Sequence, residues 1–299
     1  MESLISHSKL TFGETIKAYL ELTKLRIVLL LCFTTVTTMI VAARGVPDFD
    51  TLIYTLFGGI LAAGGSSALN QFLDRDMDAK MTRTARRPIP SGRISPTNAL
   101  IFGLMLIMWS VLILATMVNP LTSLMAFIGS IYYVVLYTMI LKRNTVVNIL
   151  IGGGAGAFPV LVGWTAVLNS LGFEVFLLFA IVFYWTPPHS WALALLVNRD
   201  YAAANVPMMP VARGEQATRV QIVLYSVQLL MITLLPAAFG VFGWIYLALA
   251  AALGGGLVYK AVQLLYSQSK SLARSTYKYS TAYLAFLFLV MMMDVLILG

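Results

Sequence analysis

The chain has 299 residues, 60% of them hydrophobic and 11% charged, with a formal net charge of +8. A mean hydropathy of +0.86 excludes an ordinary soluble domain and describes a polytopic membrane protein. The basic excess reads as a topology signal and a contact for anionic lipid, so no nucleic-acid partner is expected.

Thr11 to Lys24 predicts a short interfacial helix, with neither a cleavable signal pattern nor an organelle transit pattern around it, which points to a prokaryotic cytoplasmic membrane. Apolar runs close to the ~20 residues that cross a bilayer then predict nine transmembrane helices. They cover about 26–43, 52–72, 97–117, 121–141, 146–168, 173–197, 220–239, 242–264 and 279–298. The whole of 1–299 is expected to form one all-α membrane domain, a cytoplasmic segment over 1–25 followed by a nine-helix bundle over 26–298. Basic residues gather before span 1 and in the loops 2–3, 4–5, 6–7 and 8–9, with Arg44 alone opposite. That bias places the N-terminus in the cytoplasm and the C-terminus outside. His7 has no assigned role. Cys32 stands alone among apolar residues, so it packs and forms neither a disulfide nor a thiolate metal site.

After span 2 comes Asn70-Gln71-Phe72-Leu73-Asp74-Arg75-Asp76-Met77-Asp78, then Lys80, Arg83, Arg86 and Arg87. Asn70, Asp74 and Asp78 are four apart, so on a helix they drift only ~40° per step along one face. Carboxylates on one face beside a basic cluster suit Mg²⁺ held against a diphosphate; the alternative is a solvated, charge-mixed loop that merely ends the helix. Helix C-termini disfavour carboxylates unless a cation offsets them. Glycines of span 2 (Gly58, Gly59, Gly64, Gly65) and span 5 (Gly152, Gly153, Gly154, Gly156) read as close helix packing. Tyr133 and Tyr137 share a face of span 4 ahead of Lys142 and Arg143; an interfacial aromatic belt or a cavity under the diphosphate would each explain them.

Span 6 holds Trp185-Thr186-Pro187-Pro188-His189-Ser190-Trp191, and Pro188 is expected to bend it. His189 precedes Asp200 by eleven residues, close to three turns, which predicts a shared face with His189 roughly 16 Å deeper. An imidazole there could bind a metalloporphyrin, stabilise a cation, move a proton, or simply bond to a neighbouring helix. The halves echo each other: spans 2 and 6 both end in polar residues followed by proline-punctuated basic loops, the second being Asn198-Arg199-Asp200-Tyr201 and Val206 to Gly214. Asp294, near the end of span 9, is expected to reach water.

The run Asn70-x-x-x-Asp74-Arg75-Asp76-x-Asp78, with Met81-Thr82-Arg83-Thr84-x-x-Arg87-Pro88 and Gly92-Arg93-Ile94, resembles the first signature of the UbiA-type intramembrane prenyltransferases. Trp185-Thr186-Pro187-Pro188-His189-x-Trp191-Ala192-Leu193-Ala194 and Asp200-Tyr201-x-x-Ala204-Asn205-Val206-Pro207-Met208-x-Pro210 are similar to segments of its protoheme IX farnesyltransferase branch. The resemblance covers nearly the whole chain and implies a UbiA-type bundle that moves a farnesyl group from farnesyl diphosphate to a vinyl group of haem B, giving haem O for respiratory oxidases. It implies Mg²⁺ as cofactor, held by Asn70, Asp74, Asp78 and Asp200, with haem B as substrate. It further implies Asp74, Asp78, Asp200 and His189 as catalytic residues. Asn70, Arg75, Lys80, Arg83, Arg87, Lys142, Arg143, Arg199 and Tyr137 would contact substrate. Implied partners are both substrates, membrane lipids, and the downstream haem-modifying enzyme or the oxidase assembly. In the wider superfamily the second site carries two or more acids, whereas Asp200 stands alone here, which leaves the number of Mg²⁺ ions open. A sister enzyme acting on an aromatic quinone precursor, a secondary transporter, and an oxidase assembly factor without chemistry of its own are the competing readings.

Overall fold

The computed structural model describes residues 11–267 and 269–298; His7 and Lys9 lie outside them. Helix α1 (Phe12–Thr23) opens with Thr11 and Glu14 in a reciprocal capping box, which satisfies donors that would otherwise be orphaned at the helix start. It buries Ala18 and Leu22 and presents Phe12, Ile16 and Leu20 outward, one apolar stripe at helical spacing.

Among the described residues nine long helices follow: α2 (Leu25–Ala43), α3 (Phe49–Leu73), α4 (Pro96–Met117), α5 (Pro120–Asn144), α6 (Asn148–Leu168), α7 (Phe173–Leu196), α8 (Glu215–Ala238), α9 (Trp244–Ser267) and α10 (Lys270–Ile297). Eight of them are long and apolar enough to cross a bilayer. The remaining one, α7, has 24 residues, but Thr186, Pro187, Pro188 and His189 dilute its hydropathy. It is enclosed instead by α6, α8 and α10, so the expected nine spans correspond to nine helices. Helix α7 continues through Pro187 and Pro188.

Neighbours in sequence pack as neighbours in space: α3 lies along α4, α4 along α5, α5 along α6, α7 along α8, and α8 along α9. Helix α10 packs on both α7 and α9 and touches α2, which in turn lies along α6. Small residues allow the closest crossings. A Cβ on Gly65 would sit 2.7 Å from the Gly103 carbonyl oxygen, so α3 and α4 meet backbone to backbone there. Gly58 accepts the Leu114 side chain in the same seam. Gly59 and Gly156 face open space and do not follow the packing expectation.

Helix ends depart from the hydropathy boundaries where polar residues ride on continuous helix. Helix α10 begins at Lys270, so Arg274 and Lys278 are helical rather than looped. Helix α5 runs on through Lys142 and Arg143, with π-helical geometry over Tyr132–Leu141. Asp294 does not reach water. It is 6% exposed and accepts a 2.8 Å hydrogen bond from the Gly243 N–H, because the α8–α9 turn folds over the end of α10.

Candidate active site

Four chain segments meet at the end of α3. Helix α3 stops at Asp74, whose backbone N–H still donates to the Asn70 carbonyl, and a short helix Arg75–Asp78 continues beyond it. Thr84 donates its hydroxyl to the Asp78 carbonyl at 2.9 Å, and buried Met81, Ile89 and Ile94 anchor the loop that follows. Asp74 and Asp78 are 0% and 1% exposed. Buried carboxylates at a helix C-terminus demand cations, and they have them. Lys142 at the end of α5 pairs with Asp74, and Arg87 donates to Asp78 Oδ2 at 2.7 Å.

Asn70 links the acids to a further cation. Its amide donates to Asp74 Oδ2 at 2.8 Å and to Thr138 Oγ1 at 3.1 Å, and its oxygen accepts from Lys24 Nζ at 3.0 Å. Lys24 joins α1 to α2 in the left-handed conformation, φ 52°, ψ 52°. That backbone is unusual for a non-glycine residue and turns the chain from α1 into α2. Helix α1 is held against α3 by Ser67 Oγ and Gln71 Nε2, which donate to the Leu22 carbonyl at 2.8 and 2.9 Å. Burial, reinforced by Arg87 and Lys142, pushes the Lys24 amine down to about 7 despite the pull of Asp78 and Asp74. This corner of the protein is short of negative charge.

A cavity of about 150 Å³ opens here, lined by Lys24, Asn70, Asp78, Arg83, Arg87 and Lys142 on its polar side. Met77, Met81, Tyr133, Tyr137 and Tyr201 complete it. Four cations and one acid line the space, so it suits a polyanion. A space of this size and charge suits a phosphate headgroup rather than a porphyrin. Tyr133 and Tyr137 stack at 5.7 Å; they line the cavity and do not form an interfacial belt. Gly152 makes room for Tyr137, since a Cβ there would fall within the ring. Tyr201 stands on the short helix Asn198–Ala203 after α7. Burial pushes its hydroxyl pKa up against the opposing pull of Arg83 and Arg87, so it stays protonated and able to donate.

The donor set fits a hard divalent cation. Asp74 Oδ1 is buried without a hydrogen-bond partner, with only the Arg143 guanidinium at 3.6 Å. Among the described residues, however, no three His, Cys, Asp or Glu side chains converge into a metal-ligand group. Asp200 is not in the cavity lining.

Other expected residues lie apart from the cavity. Arg75 folds back over the Phe72 ring and donates to the Phe72 carbonyl. Lys80 and Arg199 are exposed and do not line it. Arg143 binds Asp76 through two hydrogen bonds of 2.8 and 2.7 Å and braces the loop from outside. His189 and Asp200 do not share a helical face: α7 ends at Leu196, Val197 breaks the helix (φ −113°, ψ 26°), and Asp200 belongs to the next one. His189 instead faces α10, where its Nδ1 lies 2.8 Å from Ser280 Oγ. Lys24 and Tyr201 are the polar lining residues that sequence reasoning left out, whereas Tyr133 had been weighed with Tyr137 as cavity lining. For Tyr201 the available signal was its place beside Asp200. Lys24 gave none beyond its position at the head of span 1.

Comparison with known proteins agrees with this architecture. The chain is 50% identical over 279 residues to the protoheme IX farnesyltransferase of Roseiflexus castenholzii, covering 93% of this chain and 52% of that one. It thus spans about half the length of that relative. The protoheme IX farnesyltransferase of Symbiobacterium thermophilum is 46% identical, with 97% of this chain and 98% of that one covered. Among solved structures, a digeranylgeranylglyceryl phosphate synthase superposes with a TM-score of 0.79 at 18% identity, covering 94% of this chain and 99% of that one. A UbiA homolog from Archaeoglobus fulgidus, bound to DMAPP and Mg²⁺, superposes with a TM-score of 0.68 at 16% identity, covering 91% and 98%. Residues 30–290 match the UbiA prenyltransferase family, and with relatives this close over its length the chain belongs to that family.

Proposed function

We propose that this protein transfers a farnesyl group from farnesyl diphosphate to a vinyl group of haem B, forming haem O. The observation that carries the reading is a membrane-end cavity lined by four cations and by Asp78, with the second buried carboxylate, Asp74, behind it. The names of the relatives supply the acceptor, and the ligands of the Archaeoglobus homolog supply the class of donor and the metal.

In this reading Asp74, Asp78 and Asn70 hold Mg²⁺, with Asp200 joining only if the segment after Val197 moves inward. Mg²⁺, when bound, would neutralise charge on the phosphate oxygens and make the diphosphate a better leaving group. Lys24, Arg83, Arg87 and Lys142 bind the same oxygens and stabilise the charge that builds as the allylic C–O bond breaks. To do so, Lys142 and Arg87 turn from Asp74 and Asp78 toward the diphosphate. The Tyr201 hydroxyl donates a further hydrogen bond. Tyr133 and Tyr137 cover the mouth of the apolar interior, where water is kept from the allylic cation. The haem vinyl group attacks that cation to form the new carbon–carbon bond; water then adds to the porphyrin-side cation and loses a proton, leaving a hydroxyethylfarnesyl substituent. Arg75, Lys80, Arg143 and Arg199 sit outside this chemistry and face the bilayer surface, where anionic lipid suits them. The bias of the basic loops puts this end of the bundle on the cytoplasmic side of a prokaryotic inner membrane.

The test is to incubate purified protein with haem B, farnesyl diphosphate and Mg²⁺ and to analyse extracted haems by chromatography and mass spectrometry. A hydroxyethylfarnesyl haem, lost on chelation, is expected. Diphosphate release with an aromatic quinone precursor and none with haem would transfer the assignment to the sister chemistry.

A further inference from the structure

The contact between α7 and α10 holds an imidazole that the diphosphate cavity does not use. Ser280 Oγ donates to the Tyr277 carbonyl, one turn back on its own helix, at 2.8 Å. A serine hydroxyl has a single proton. His189 Nδ1 lies 2.8 Å from the same hydroxyl. With the Ser280 proton on the Tyr277 carbonyl, the neutral ring carries its hydrogen on Nδ1 and Nε2 keeps an unshared pair.

The rest of the ring is enclosed. Trp185 stacks on it with a centroid distance of 4.2 Å and an interplanar angle of 24°, and Tyr277 lies at 4.7 Å. Trp185 is itself tied to α10, its indole N–H donating to the Ser280 carbonyl at 2.7 Å. His189 is half-buried, and its Nε2 edge has no partner among the described residues. The imidazole is fixed at one nitrogen and left free at the other. Metal-binding imidazoles are held the same way, by a second-shell acceptor that sets the tautomer and raises ligand basicity.

We infer that His189 Nε2 is an axial ligand to the iron of the acceptor haem, and that Ser280 is the positioning residue that makes it one. The inference rests on the haem reading above. Coordination donates the Nε2 pair to iron, and no proton leaves because Nε2 carries none. The macrocycle is then seated against α7 and α10, apart from the diphosphate cavity that is too small for it, and the vinyl group is brought to the farnesyl chain by that anchoring.

The experiment is a haem B titration of the full-length protein in detergent without farnesyl diphosphate, read by Soret absorption. Wild type should give a saturable nitrogen-ligated spectrum. His189→Gly should lose it, and added imidazole should restore it, which also shows the fold is intact. Ser280→Ala should weaken haem binding about 10- to 100-fold, and Ser280→Thr, which keeps the hydroxyl, should recover it. A wild-type spectrum and affinity in His189→Gly overturns the inference. So does wild-type protein that converts haem without a nitrogen-ligated spectrum, which leaves the farnesyltransferase reading standing. Wild-type protein that neither binds nor converts haem, yet releases diphosphate with an aromatic acceptor, brings down both.

Discussion

Replacing Lys24 by Met keeps the length of the side chain and the left-handed backbone and removes only the charge. Its amine is 3.0 Å from Asn70 Oδ1 and lines the cavity with Arg83, Arg87 and Lys142. Two unit charges ~4 Å apart at an effective dielectric of ~20 interact by about 4 kcal/mol. Loss of one preorganised donor to a developing anion costs about 2.7–4 kcal/mol in mutational experience, or roughly 10²–10³ in kcat. Both routes predict a 10²- to 10³-fold fall in haem conversion. Folding should feel much less. The Asn70 hydrogen bond is worth about 1 kcal/mol, and its loss is offset by relief of repulsion from Arg87 and Lys142. The assay is initial rate against farnesyl diphosphate concentration, with thermal unfolding in detergent as control. Lys24→Met with wild-type kcat/KM would falsify the placement of this amine on the leaving group. A large fall in Tm alongside lost activity would show that the residue is chiefly structural.

Other expectations follow from the same geometry. Asp78→Asn keeps the shape and removes the charge paired with Arg87; turnover should drop about 10³-fold or more, beyond the loss of one donor, with helical circular dichroism unchanged. Chelation should stop wild-type turnover and added Mg²⁺ should restore it; activity indifferent to chelator would remove the metal from the proposal. Gly65→Val drives a side chain into the Gly103 carbonyl, which cannot yield, so stability should fall by about 1–3 kcal/mol or more, as read by thermal unfolding. Arg93 hydrogen-bonds Glu21 at 2.6 Å and holds its carboxyl below the ordinary 4.5. A depressed carboxyl stabilises above its unfolded value and loses that contribution as pH falls through the folded one. Hydrogen exchange in α1 should therefore accelerate only below about pH 4.5, and Arg93→Ala should erase that acid limb.

The span count and the acidic motif were legible because each has a simple period: about twenty apolar residues per crossing, and four residues between Asn70, Asp74 and Asp78. What escaped the sequence depended on chain direction changing at single residues. Val197 carries no breaker chemistry, yet it ends α7 and separates His189 from Asp200. Lys24 looked like one more topology charge, because nothing local shows that a left-handed junction folds it back toward Asn70. Asp294 at the end of a span looked solvated, but the turn that covers it comes from residues fifty positions earlier. Tyr133 and Tyr137 read first as an interfacial belt, and only the approach of α3 and Tyr201 puts them in the cavity lining.

The π-helical stretch Tyr132–Leu141 gives its span slack in chain length. A π turn accommodates more residues than an α turn over the same climb. One residue deleted between Tyr133 and Lys142 would let the segment relax to ordinary α geometry. With one residue fewer over the same climb, Lys142 would stay close to Asp74, whereas a deletion in the α-helical Pro120–Ile131 has no such slack and would swing everything after it by about 100°. Relatives sharing this site should therefore tolerate a one-residue gap within these ten residues far better than one earlier in the span.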